Sequence, residues 1–118
     1  MTGGRGAGPR ISKEGEDVDT VVQYKEWPCR LKYGFYAVGN GRIAIQLIHA
    51  ETGELVSVAT VNLPHVALRH DEVLIKDYSE NEGMLEALVN AGVVEDTGKR
   101  VASGYVEIPV CRLLKRPG

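Results

Sequence analysis

The 118-residue chain reads as α+β. The expected fold is a curved antiparallel sheet of about five strands that begins as a three-stranded meander, with one main helix packed on one face. Three observations predict it. Strand-forming runs flank Asn40-Gly41 and then Gly53, both tight-turn signals. A single stretch, Ser79 to Gly92, carries helical apolar spacing between a start and a stop signal. The last apolar run, "YVEIPVCRLL", holds a proline, which suits an edge strand or a bulge.

Taken in order, residues 1–19 are rich in glycine and charge and hold Ile11 and Val18 as their β-branched aliphatics, too little to offset the entropy of ordering. They read as a flexible tail, with order beginning between Thr20 and Pro28. A single domain then covers 20–114, and 115–118 fray. In "CRLKYGFYAVGNGRIAIQLIHA" a two-residue turn at Asn40-Gly41 would place Val38 opposite Ile43 and Tyr36 opposite Ile45, with Tyr33 and Phe35 on the other face. Ala50-Glu-Thr-Gly53 turns the chain again. Leu47, Ile45 and Ile43 then align with Ser57, Ala59 and Val61. "EVLIKDY" is a fourth, shorter strand. Ser79 and Glu82 have the spacing of a capping box. Met84, Leu85, Leu88 and Val89 form the apolar stripe, and Gly92 ends the helix.

Fourteen basic and sixteen acidic residues leave a net charge of −2, with the signs interspersed. That excludes a strong electrostatic footprint for duplex DNA, RNA or an anionic membrane. No apolar run approaches the roughly 20 residues of a membrane span, and "MTGGRGAGPR" lacks a signal-peptide core. A cytoplasmic protein is expected. Cys29 and Cys111 stand alone in strand-like runs and read as buried reduced thiols. His49, His65 and His70 have no partners at metal-ligand spacing, so no metal or cofactor is expected. Neither a nucleophile motif nor a phosphate-binding loop is present. An enzyme built from dispersed carboxylates and histidines is the minority reading.

Two groups of residues are candidate binding sites. The polar stretch 95–104, read as a loop between apolar runs, gathers Thr97, Gly98, Lys99, Arg100, Ser103 and Gly104, followed by Tyr105. Its glycines and hydroxyls also suit plain turn chemistry, which is the stronger reading. The second group is Tyr33 and Phe35 interleaved with Arg30, Lys32 and Arg42, an arrangement able to stack single-stranded nucleic acid. Strand aromatics are ordinarily core, and that role is expected to win here.

"WPCRLKYGFYAVGNGRIAIQLI", "ETGELVSVATVNLP" and "DTGKRVASGYVEIPVCRL" resemble a family of small uncharacterised proteins encoded on conjugative elements and phages of gut bacteria. Its distinctive spacing is Thr97-Gly98, a basic residue at Lys99 or Arg100, Ser103-Gly104 and Tyr105. The resemblance implies a mobile-element accessory protein and carries no catalytic residue. The functional expectation is a small binding module that modulates or inhibits a host factor, including one of host defence, through an exposed sheet face, an edge strand or 95–104. Single-stranded nucleic acid is the alternative partner, and an edge-strand homodimer is compatible with the pattern.

Overall fold

A computed structural model describes residues 16–37 and 42–115, with the backbone alone for 16–19. Its α+β architecture comprises, among the described residues, seven strands in two antiparallel sheets. β1 (Glu16–Tyr24), β2 (Trp27–Phe35), β3 (Ile43–His49) and β4 (Leu55–Val58) form the first, in sequential order. β5 (Glu72–Leu74), β6 (Val94–Ser103) and β7 (Val106–Leu113) form the second, in the order β5-β7-β6. A 3-10 turn, Ser79–Asn81, leads to α1 (Met84–Asn90).

Two of these strands were not expected, and both are edges. β1 starts at Glu16, inside the segment read as a tail, because the backbone of β2 supplies its pairing. Stretch 95–104 is strand rather than loop: β6 pairs with β7 along its length, and Thr97-Gly98 forms a bulge between Asp96 and Lys99. An edge strand exposed to water needs few apolar residues, which is why it read as a loop. The bend lies at Gly104-Tyr105, closed by Ser103 and Val106. Gly104 takes φ +61 at the first central position, as in a type II′ turn.

β7 occupies the centre of its sheet, not an edge. Pro109 is tolerated because β5 ends at Leu74: the Pro109 carbonyl accepts the Ile75 N–H at 3.1 Å, and its missing donor falls beyond the paired segment. At the other terminus, Lys115 is anchored rather than frayed. Its N–H donates to Val93 C=O, and its own C=O accepts the Tyr33 hydroxyl.

The meander keeps its expected register at the second turn and changes it at the first. Leu47 sits opposite Ser57, Ala59 N–H donates to Ile45 C=O, and Gly53 takes φ +79. Between β2 and β3, however, Tyr33 faces Ile45 and Phe35 faces Ile43, and the ladder closes at Tyr36 and Arg42. Asn40 and Gly41 lie outside the described residues. The offset from the expected pairing is odd, so it swaps faces. Burial explains the outcome: this register puts Leu31, Tyr33, Ile45 and Leu47, each no more than 1% exposed, on one face.

That inner face packs on Val73, Cys111 and Leu113 of the second sheet and on Met84 and Leu88 of α1. The opposite face of the second sheet, with Leu74, Ile108 and Val110, is covered by Val61, Leu63 and Leu68 from the connector. Backbone bonds from Val61 to Leu74 and from Lys76 to Ala59 join the two sheets.

α1 is capped otherwise than expected. Ser79 and Glu82 make no capping box. Ser79 has φ +55 in the 3-10 turn, and Gly83, at φ +94, is the N-cap without a side-chain bond. Asp77 does the capping, with one carboxylate oxygen accepting the N–H groups of Gly83 (3.1 Å) and Leu85 (2.9 Å). At the other end the expected stop holds. Gly92 N–H bonds to Val89 C=O and Val93 N–H to Leu88 C=O, a Schellman motif with Leu88 and Val93 both in the core. Met84 and Leu88 are buried, while Val89 is 40% exposed.

Candidate interaction surface

The β6–β7 ribbon holds the first group of candidate residues, and the fold uses most of their polar atoms. The Thr97 hydroxyl donates to Val110 C=O at 2.6 Å and accepts the Lys99 N–H, pinning the bulge. Gly98, at φ +87, donates its N–H to Asp96. Lys99 pairs with Glu72 at 2.9 Å, and Arg100 grips both oxygens of Asp96 at 2.9 and 3.0 Å. Arg112 pairs with Glu95. Thr97 and Lys99 therefore line a mixed-charge cleft of about 410 Å³ with Arg69, Glu72, Glu95 and Arg112. Tyr105 does not join it. Its ring stands fully in solvent at the hairpin tip, roughly 20 Å along the ribbon from Lys99 at the usual strand rise.

The charges of the ribbon are tuned by these contacts. The Arg69 backbone N–H, then Lys99, hold the Glu72 carboxyl below the usual range. Arg100, then the Gly98 N–H, do the same for Asp96, and Asp96 in turn raises the Arg100 guanidinium. Burial pushes the Cys111 thiol up to about 12 and raises that of Cys29. A protonated, buried thiol is a poor nucleophile.

The second candidate group is divided between faces. Tyr33 is 1% exposed and belongs to the core, with its hydroxyl on Lys115 C=O. Phe35, on the same side of the pleat, is 43% exposed at the strand end. Arg30 and Lys32 alternate onto the outer face. Arg42 is used elsewhere, donating to the Leu63 carbonyl at 2.8 Å and to that of Val66. These residues therefore do not assemble one aromatic and basic platform.

The outer face of the first sheet brings together residues that sequence reading did not group. Val21 lies opposite Arg30, Arg30 opposite Ile48, and Ile48 opposite Leu55, a row across all four strands. At the usual strand spacing it is about 14 Å wide. Val21 is 56% exposed and Leu55 55%. The adjacent row runs from Lys32 through Gln46 to Val58, with Asp17 opposite Lys32 in the backbone register of β1.

His49 accepts the N–H groups of Glu51 and Thr52 on Nδ1 and so serves the turn. Among the described residues, no group of three or more His, Cys, Asp and Glu side chains is placed to hold a metal ion, and no helix is long and apolar enough to cross a membrane. No family model matches the chain, and neither a curated protein nor a solved structure does so.

Proposed function

We propose that this chain is a small, non-enzymatic binding protein of the kind carried by conjugative elements and phages, acting on a host protein such as a factor of host defence. The mobile-element setting rests on the resemblance carried by Thr97-Gly98, Lys99, Ser103-Gly104 and Tyr105. The observation that most supports binding is the outer row of the first sheet. A solvated antiparallel face is ordinarily polar, yet Val21 and Leu55 stand more than half exposed at either end of a row that also holds Ile48. Apolar side chains aligned with an arginine suit a protein partner.

The nucleic-acid reading has weaker support. Tyr33 is committed to the core, and a chain of net charge −2 has little counterion release to drive binding. The test is photo-crosslinking from single positions, Leu55 on the outer face, Tyr105 at the hairpin tip and Glu86 on α1, in a host-cell lysate. The expected result is one host protein captured from one surface and displaced by excess unlabelled chain. The same background adducts from all three positions would refute the proposal.

A further inference from the structure

We infer that the outer face of the first sheet receives an acidic, aliphatic-bearing segment of the partner protein, an inference that rests on the binding reading above. Charge complementarity carries it. Lys76, Lys99, Arg100 and Arg112 are each paired with a carboxylate. Among the described residues, Lys25, Arg30, Lys32, Arg42, Arg69 and Lys115 make no ion pair, and of these Arg30, exposed, and Lys32, half-buried with Asp17 opposite it in the register of β1, stand on this face. Arg30 sits between two aliphatic neighbours, Val21 and Ile48, in the register of the sheet. A guanidinium held within an apolar row presents a planar fork that a carboxylate can engage from both oxygens, while flanking aliphatics keep water away. The partner segment should therefore carry Glu or Asp beside Leu, Ile or Val.

Other occupants fit less well. A second copy docked face to face would bring the same two cations, Arg30 and Lys32, to both sides of the contact. A polyanion would need more cations than these two, and a nucleic acid would need rings to stack on, whereas the ring of Tyr33 points into the core.

The probe is a synthetic amphipathic peptide with a leucine stripe flanked by glutamates, titrated into the isotope-labelled full chain and followed by amide chemical shifts. Two matched peptides carry glutamine or lysine in place of glutamate. The glutamate peptide should shift resonances of β1 to β4 and bind at least tenfold more tightly than the glutamine form. Arg30→Glu should reverse the preference toward the lysine peptide, and Leu55→Ser should weaken all binding several-fold; because both side chains are exposed, circular dichroism should stay unchanged. No binding, equal binding of the three peptides, or shifts confined to other elements would overturn the inference. So would self-association through this face, or its occupation by an oligonucleotide or by anionic vesicles. Photo-crosslinks reaching a host protein from Tyr105 but not Leu55 would leave the binding reading standing and remove this inference alone.

Discussion

Asn81 offers the sharpest test of how the first sheet is closed. β4 is an edge strand, and Asn81, 1% exposed, lies against that edge. Its amide N–H donates to the Val58 carbonyl at 2.8 Å, and its side-chain oxygen accepts the Ser57 hydroxyl. The side chain thus occupies hydrogen-bonding positions that a further strand would otherwise take. Asn81→Leu keeps the number of side-chain heavy atoms, is somewhat bulkier, and leaves the Val58 carbonyl and the Ser57 hydroxyl without that partner. One buried polar group left unsatisfied costs roughly 1–3 kcal/mol. The half-buried Ser57 hydroxyl can turn toward the adjacent groove, so its share should be smaller, and the total should be about 2–4 kcal/mol. Ser57→Ala leaves the Val58 contact intact but strips the buried Asn81 side-chain oxygen of its donor, so it should cost roughly 1–3 kcal/mol. Urea unfolding followed by circular dichroism measures both, and thermal melts should show Asn81→Leu lower by roughly 10 °C or more. An Asn81→Leu protein within about 0.5 kcal/mol of wild type at unchanged denaturant slope would refute the reasoning.

Three further outcomes are expected. Asp77→Ala should destabilise by about 1 kcal/mol through loss of the helix cap, whereas Ser79→Gly should stabilise slightly by relieving a positive φ; equilibrium unfolding of the two variants reverses in order if Ser79 is the true cap. Tyr33→Ala should cost about 3–5 kcal/mol as a core truncation, and a variant melting like wild type would place the ring outside the core. Glu72 and Asp96 have folded pKa values below their unfolded ones, so their contribution is present above about pH 5 and is lost as pH falls through the depressed values. Glu72→Gln should flatten the acid limb of stability against pH, and identical limbs would rule out the carboxylate's role.

What could be read from the chain beforehand follows from where each signal resides. Gly53 and Gly92 were legible because a positive φ leaves a residue-type signature at the position itself. The Leu47–Ser57 alignment followed from the place of the turn at Ala50 to Gly53. The cap was not legible, since Asp77 reaches the helix start from six and eight residues upstream, outside the S-x-x-E template. β6 was hidden because its pairing comes from the backbone of β7 while most of its side chains, from Glu95 to Arg100, face water. The same limit applied to the candidate surface. Exposure of Arg30 could be expected from strand alternation, but Val21 and Leu55 are far apart in sequence and meet that residue's row only through the register of three strand pairs.

The central place of β7 has a consequence for biosynthesis. The first sheet is complete in chain order by Val58, yet its inner face waits for Cys111 and Leu113 of the final strand. At a synthesis rate of about 5–20 residues per second, that interval is roughly 3–10 s. During it, the inner face of a nascent meander lacks the cover that Cys111 and Leu113 supply, so part of Leu31, Tyr33, Ile45 and Leu47 stays open to whatever surrounds the ribosome.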